Sequence, residues 1–320
     1  MSKEPTNQHF VPQVYLRKFS FKKRKDDFIY TLDCRQVETG EIKEKNIKEI
    51  CAEKGLYDLP GKLTDAERFF VDNFYKSEYE NNWNGVYNKL VDEKVTTITT
   101  LDRRVIIGMV LSLFFRNIKW IAKLDFQTSF IIEQGYKVCT QYGKDRFVMT
   151  EIDGKKEIIV VKGKTLSEVK QDYLERHKEE LVIKGMKSTI NLLKNRKDSD
   201  GIVIEKLRDP SEHFITSDNP VYLFDPDGIK PVNPENPKNF LVVPIDHEHY
   251  LELIPERPKQ SILDVVRNPS SKLVIGKIKM SSFGKNALLA SEADQFLLGS
   301  KGGLKDYCST VTWINNPKDR

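Results

Sequence analysis

The spacing of apolar and polar residues changes twice along the chain and divides it into three parts. The run Phe28-Ile29-Tyr30-Thr31-Leu32 has the composition of a β-strand, so residues 1–60 are predicted to be rich in strands. Residues 64–196 carry apolar side chains mostly at helical intervals. From residue 201 to residue 320, short β-type runs return between Pro, Asp, Asn and Gly residues, which indicates a second region built mainly from strands.

Two capping boxes mark helix starts in the central part. Thr64-x-x-Glu67 and Thr165-x-x-Glu168 have the spacing at which each side chain satisfies a free backbone N–H of the other residue. The first helix is expected to break near residues 81–85, and the second to run to about Asn195. Between them, the segment from Asp102 to Phe115 is apolar on nearly every face, which is typical of a helix buried on all sides.

The remaining pattern predicts a hairpin and a mixed C-terminal part. Residues 146–162 contain two β-type runs around Asp153-Gly154, a strong hairpin signal. Near the end of the chain we expect a helix over residues 283–291 and a last strand over residues 310–314.

Strands and helices are grouped along the chain and do not alternate, which favours an α+β fold over a doubly wound sheet. We predict a single large α+β domain over residues 1–320, with central buried helices, N-terminal strands and a mostly antiparallel C-terminal sheet. The first strands are expected to pair with the late sheet.

Composition narrows the class of protein. The chain has 39% hydrophobic and 31% charged residues, which is ordinary for globular proteins and excludes disordered and collagen-like classes. Its most apolar run, residues 105–115, is shorter than the ~20 residues that a membrane span needs. No apolar signal region opens the chain, and its four cysteines lie far apart. These features predict a cytoplasmic protein with no membrane partner, no disulfides and no zinc ribbon.

The positive charge is concentrated at the start of the chain. Residues 1–25 carry seven basic side chains and one acidic side chain, whereas the remaining residues carry nearly equal numbers of both. Two interpretations stay open for the basic residues Lys22, Lys23, Arg24 and Lys25. They bind nucleic-acid phosphates, or they form a solvated loop between two ordered elements.

Several phrases of the sequence resemble one protein family. The opening Gln8-His9-Phe10-Val11-Pro12-Gln13 resembles the first phrase of the family catalogued as domain of unknown function 4238. Later segments are also similar to it: residues 51–57, Leu113-Phe114-Phe115-Arg116, residues 214–221, residues 241–245 and Asn286-Ala287. At Ile245-Asp246-His247 the chain departs from the family, which more often has Leu-Ser-Pro there. The resemblance implies no activity.

Candidate chemistry therefore rests on the residues themselves. His9 is either a general acid or base, or an anchor that binds a backbone carbonyl. Arg116, in a buried helix, requires an internal partner or an anionic ligand. Asp218 pairs with Arg116, binds a metal, or caps the turn at Asn219-Pro220.

Two weaker patterns suggest metal chemistry. His247-x-His249 on a strand would point both imidazoles to one face, which is the spacing of a two-histidine metal site. Asp27 with Glu41-Ile42-Lys43 is similar to the carboxylate and lysine set of metal-dependent nucleases, although such a match arises easily by chance.

The leading hypothesis is a hydrolase that acts on a nucleic acid or nucleotide, with a role in bacterial defence as the version to test first. Its pocket would combine two catalytic residues with the ligand-binding residues Gln13, Arg116 and Asn219. Of the catalytic residues, His9 would shuttle a proton and Asp218 would hold either His9 or a divalent ion. The cofactor stays open, with a divalent metal as one option. The alternative is a non-catalytic module that binds nucleic acid or protein and uses the same residues as a structural polar core.

Overall fold

The computed structural model describes residues 7–59, 64–150, 156–224, 236, 238–255, 273–276 and 282–315. Among these residues about 49% are in helices and 23% in strands, with antiparallel sheets, so the chain has the predicted α+β fold. The predicted single domain over residues 1–320 stays a prediction.

Most helices lie in the middle of the chain, with a short one near its start and two more near its end. They are α1 (Gln13–Leu16), α2 (Asp65–Arg68), α3 (Phe70–Tyr75), a π-helical stretch (Lys76–Glu80), α4 (Asn81–Val91), α5 (Thr100–Phe115), α6 (Ile118–Gln141), α7 (Leu166–Arg196), α8 (Ser282–Glu292) and α9 (Lys301–Asn315). The predicted break at residues 81–85 is wrong, because helix α4 is continuous there and the irregularity is the π-helical stretch before it.

The strands come from both ends of the chain and from one central hairpin. They are β1 (Asn7–His9), β2 (Phe21–Lys23), β3 (Asp26–Asp33), β4 (Lys43–Asn46), β5 (Ala52–Lys54), β6 (Arg146–Thr150), β7 (Lys156–Val160), β8 (Gly201–Lys206), β9 (Thr216–Ser217), β10 (Tyr222–Phe224), β11 (Phe240–Pro244), β12 (His249–Ile254), β13 (Leu273–Gly276) and β14 (Phe296–Gly299). Strands β6 and β7 form the predicted hairpin, and its turn lies outside the described residues.

Two five-stranded sheets contain most of these strands. The first has the order β2-β3-β14-β9, with β4 also paired to β3, so N-terminal strands do pair with late ones, as predicted. The second has the order β10-β11-β12-β8-β13 and is antiparallel except for β13, which runs parallel to β8. Strand β1 pairs separately with β5.

Helix α5 is the centre of the core, as its all-round apolar pattern predicts. Almost every side chain from Val105 to Phe115 is buried. Helix α7 approaches α5 closely at Gly185. A side chain at that position would not fit, because its Cβ would lie 2.5 Å from the carbonyl oxygen of Phe115. Thr99 and Asp102 form a capping box at its start.

The predicted last strand over residues 310–314 is wrong, because these residues belong to α9. Thr310-Val311-Thr312 has β-branched composition, but the apolar residues Leu304, Tyr307, Cys308 and Val311 recur at helical spacing. That spacing lets one face of α9 pack against the first sheet and α8.

Candidate functional site

Arg116 follows helix α5, and its side chain is 1% exposed. Its NH1 group donates to Glu80 Oε1 at 2.5 Å, and its NH2 group lies 3.6 Å from Asp72 Oδ1. NH2 also donates to the backbone carbonyl of His9. The rings of Tyr57 and Tyr75 flank the guanidinium at 5.4 and 4.8 Å. We name Arg116, Glu80, Asp72 and His9 the Arg116 cluster.

The π-helical stretch brings the two carboxylates of the cluster to one side. Along an ideal α-helix, eight residues would rotate Glu80 by about 80° from Asp72. The wider turn of residues 76–80 reduces this rotation, so both side chains reach Arg116. No sequence motif predicts a π-helical turn, so neither Asp72 nor Glu80 was predicted from the sequence as a partner of Arg116.

Burial and charge together set the protonation of the cluster. Burial lowers the pKa of Arg116, but the attraction and hydrogen bonds of Glu80 and Tyr57 together outweigh burial. The pKa therefore lies above its usual range and the group stays cationic. Burial raises the pKa of the Asp72 carboxyl, and Arg116 opposes this shift. Burial, supported by the charge of Arg116, lowers the pKa of His9. The cluster is therefore a cation held by acidic and carbonyl oxygens, with a neutral imidazole beside it near pH 7.

His9 is half-buried at the end of β1. Its Nε2 lies 3.2 Å from the carbonyl oxygen of Ile47 and 3.4 Å from Gln13 Nε2. Gln13 Oε1 accepts a bond from Arg17 at 3.4 Å. The neighbouring Gln8, which sequence reasoning did not select, is buried and binds both the Asp58 side chain and the Tyr57 backbone. These contacts agree with the anchoring role that was one of the two options for His9.

Asp218 is buried at the end of β9 and accepts three backbone hydrogen bonds. The donors are the N–H groups of Asp294, Gln295 and Phe296, at 2.9, 2.7 and 3.0 Å. Burial raises the pKa of Asp218, and these donors oppose the shift. Asn219 Nδ2 donates to the carbonyl of Glu292 at 2.9 Å. Asp218 and Asn219 thus attach β9 to the segment between α8 and β14.

The five predicted pocket residues fall into two contact groups. His9, Gln13 and Arg116 form one, and Asp218 and Asn219 form the other. Among the described residues, no hydrogen bond or ion pair joins the Asp218 carboxylate to Arg116 or to His9. The groups meet through Asn117, the N-cap of α6, whose Nδ2 donates to the backbone carbonyl of Asp218 at 2.5 Å. Sequence reasoning missed Asn117.

The weaker metal patterns do not assemble. Strand β12 begins only at His249, whose Nδ1 lies 2.9 Å from Asp246 Oδ2, while the ring of His247 packs against Phe19 and His213. The expectation that both imidazoles share one face of a strand is therefore wrong. Asp27 pairs with Lys22 and Arg17, and Glu41 with Lys43. Within the described parts of the chain, no three His, Cys, Asp or Glu side chains are placed to hold a metal ion.

The predicted basic segment is the hairpin of β2 and β3. Lys22 and Lys23 lie on β2 and form exposed ion pairs with Asp27 at 2.7 Å and with Glu44 at 2.5 Å. Arg24 and Lys25 form the two-residue turn, and both are exposed. Arg24 has a φ of 59°, in the left-handed region that two-residue hairpin turns require. The tip of the hairpin thus presents two exposed cations.

Three half-buried aromatic rings lie beside these cations, on one face of the first sheet. Phe21 stacks on Tyr30 with ring centroids 4.7 Å apart, and Phe28 lies 6.4 Å from Phe21. Lys23 lies over the ring of Phe28 and Lys301 over that of Tyr30, at 5.5 and 5.9 Å. We name these five residues the aromatic–basic face.

Comparisons with known proteins give a family and nothing more specific. The family model described as "Protein of unknown function (DUF4238)" matches residues 7–301. No curated protein and no solved structure matches the chain. In the part of the chain that is described, every helix is too short or too polar to cross a membrane.

Proposed function

We propose, for a chain that belongs to the DUF4238 family of proteins of unknown function, that it is a non-catalytic module that binds single-stranded nucleic acid. Its buried polar groups would be structural. The observation that carries the proposal is the aromatic–basic face.

Single-stranded nucleic acids bind to surfaces that combine aromatic rings with nearby cations. The rings stack on bases of any sequence, and Lys or Arg side chains neutralise the backbone phosphates. The stacked pair of Phe21 and Tyr30 offers such a ring surface, because both rings are only half-buried. Lys23 and Lys301 lie over rings of the same face, and the hairpin tip adds Arg24 and Lys25.

The contacts of the polar core support the non-catalytic part of the proposal. The guanidinium of Arg116 contacts Glu80, Asp72 and the His9 carbonyl. These are internal partners of the kind expected if Arg116 binds no anionic ligand. The carboxylate of Asp218 is engaged by three backbone N–H groups. Groups with these partners stabilise the fold without any ligand.

The test is binding of labelled single-stranded RNA and DNA, measured by fluorescence anisotropy at low salt. Phe21→Ala should weaken binding by about 5- to 150-fold, because stacking on one aromatic ring contributes ~1–3 kcal/mol. Phe224→Ala is the matched control: it removes an exposed ring that packs on Phe240 in the second sheet. Absence of binding by the wild-type protein, or equal losses in both variants, would contradict the proposal.

A second candidate is the phosphate-handling hydrolase, with its role in bacterial defence. One observation favours it: His9 is half-buried beside Asp72 and Glu80, and burial lowers its pKa, so its imidazole is neutral near pH 7 and able to accept a proton. Hydrolysis of single-stranded RNA, DNA or nucleoside triphosphates that is lost in His9→Gln, with unchanged thermal stability, would support this candidate. Hydrolysis that persists in His9→Gln would show that His9 has no catalytic role.

A further inference from the structure

An acidic side chain lies within the aromatic–basic face. Glu44 on β4 is paired directly with Tyr30 on β3, and residues opposite each other in an antiparallel pair share one face of the sheet. Its Oε2 atom accepts a bond from Lys23 Nζ at 2.5 Å, and its side chain is 37% exposed. That hydrogen bond, aided by the charges of Lys23 and Lys301, lowers the pKa of Glu44. The face therefore carries an ionised and accessible carboxylate beside the stacked pair of Phe21 and Tyr30.

The Glu44 carboxylate can accept further hydrogen bonds. On a face that binds phosphates, a carboxylate is unfavourable unless it contacts another part of the ligand, because like charges repel. An ionised carboxylate only accepts hydrogen bonds, at about four sites on its two oxygens, and the bond from Lys23 uses one of them. Bases of single strands stack on aromatic rings and are read along their Watson–Crick edges. Glu44 is thus placed to contact the edge of a base that stacks on Phe21 and Tyr30.

Guanine is the base whose Watson–Crick edge suits a carboxylate. Its N1–H and N2 amino groups are adjacent donors, and they form the same fork that a guanidinium presents to a carboxylate in a bidentate pair. Adenine and cytosine each place one amino group beside a ring nitrogen that accepts, and uracil places its N–H between two carbonyl oxygens. In those three bases an acceptor would face the Glu44 carboxylate and be repelled by it.

Resting on the nucleic-acid binding proposed above, we propose that the aromatic–basic face prefers guanine. The guanine ring would stack on Phe21 and Tyr30, and its N1–H and N2 amino groups would donate to the Glu44 carboxylate. Lys23 and Lys301, which lie over rings of the same face, would contact the neighbouring phosphates. Glu44 thus selects the base, while the rings and the cations bind any strand.

Asp26 offers a comparison on the same face. It is paired with Lys23 beside the hairpin turn, its side chain is 42% exposed, and it binds Lys48 Nζ at 2.7 Å. Along β3, Asp26 lies about 13 Å from Tyr30, from a rise of about 3.3 Å per residue. Asp26 therefore resembles Glu44 in charge, exposure and lysine partner, but a base stacked on the ring of Tyr30 would lie beyond its reach.

The test compares short uridine RNA strands that carry a single guanine, adenine, cytosine or inosine, with binding measured by fluorescence anisotropy at one low salt concentration. The wild-type protein should bind the guanine strand at least about 5-fold more tightly than the adenine, cytosine and all-uridine strands, which is the lower end expected for a bidentate contact to a base. Inosine lacks the N2 amino group, so its strand should lose most of this preference.

Two variants assign the preference to Glu44. Glu44→Gln should abolish it without weakening the binding of the all-uridine strand, because the change removes both the pair of acceptor oxygens and a negative charge. Asp26→Asn is the matched control: it also removes a negative charge from this face, so it should leave the guanine preference as in wild type. Both side chains are partly exposed, so both variants should keep the wild-type melting temperature.

The outcomes separate this inference from the function on which it rests. Wild-type binding with no preference for guanine, equal binding of the inosine and guanine strands, or a preference that survives in Glu44→Gln would each overturn the inference and leave the proposed nucleic-acid binding in place. Absence of wild-type binding to every strand would overturn both.

Discussion

At the level of single residues, the guanidinium of Arg116 is the most demanding group in the protein. A buried cation costs several kcal/mol in lost hydration unless oxygens surround it. Glu80, Asp72 and the His9 carbonyl supply those oxygens, and the rings of Tyr57 and Tyr75 enclose the group. Arg116 therefore connects the N-terminal strand to the central helices.

Arg116→Met should destabilise the protein by about 3–5 kcal/mol, because it leaves Glu80 as a largely buried carboxylate without its partner. Denaturant titration measures this loss. Adding Glu80→Met should recover at least ~1 kcal/mol, since the second change removes the unpaired charge. If phosphate or nucleotide stabilised the wild-type protein and Arg116→Met cost little, Arg116 would be a ligand site and the structural assignment would be wrong.

Sequence alone predicted that Arg116 needs a partner, because the apolar residues before it are visible locally. Its predicted position inside that helix is wrong, since Arg116 directly follows the last residue of α5. The identity of the partner was not predictable. Asp218 was one named option, but the acids that meet Arg116 are Asp72 and Glu80, which a π-helical stretch brings to the same side. His9 shows the same limit: its need for a hydrogen bond was predictable, whereas its neighbour Ile47 depends on the tertiary fold.

At the level of secondary-structure elements, the Asp218 carboxylate adds to the strand pairing that joins β9 and β14. Asp218 gives the backbone N–H groups of residues 294–296 an acceptor where the chain leaves α8 and enters β14. This contact also fixes the position of β14, which pairs with β3. The buried Asp218 side chain thus supports the segment from which β14 pairs with the N-terminal strand β3.

Asp218→Asn should destabilise the protein by about 2–3 kcal/mol, because an amide has one acceptor oxygen and leaves buried N–H groups without partners. The comparison variant is Asp209→Asn. Asp209 is exposed, and its carboxylate accepts bonds from Ser211 two residues later, so this change should alter stability by less than ~0.5 kcal/mol. Thermal and denaturant unfolding of both variants gives the answer. Equal stability of Asp218→Asn and wild type would instead free Asp218 for a catalytic role.

Elements with strong local signals were predictable, and elements defined by distant partners were not. Helix α7 begins at its capping box, and α5 is buried as its apolar pattern indicates. Helix α9 was missed because three β-branched residues suggested a strand, while the stronger signal was the helical spacing of Leu304, Tyr307, Cys308 and Val311. The pairing of β3 with β14 was expected in general, but its register depends on contacts between residues some 260 positions apart.

At the level of the whole molecule, the buried polar residues and the exposed aromatic and basic residues lie in different places. The polar residues that sequence grouped into a pocket mostly form hydrogen bonds and ion pairs between secondary-structure elements. The surface instead presents the aromatic–basic face on the first sheet and several large apolar side chains on helix α6.

The most direct test of the proposed nucleic-acid binding is the salt dependence of affinity for single-stranded RNA. The logarithm of affinity falls linearly with the logarithm of salt concentration, by about 0.7 for each phosphate contact on a single strand. Replacing Lys22, Lys23, Arg24 and Lys25 with Ser should therefore reduce this slope by roughly 1.5–3, because two to four contacts are lost. Wild-type binding that is absent at low salt, or an unchanged slope in the variant, would show that the basic hairpin is only a solvated loop.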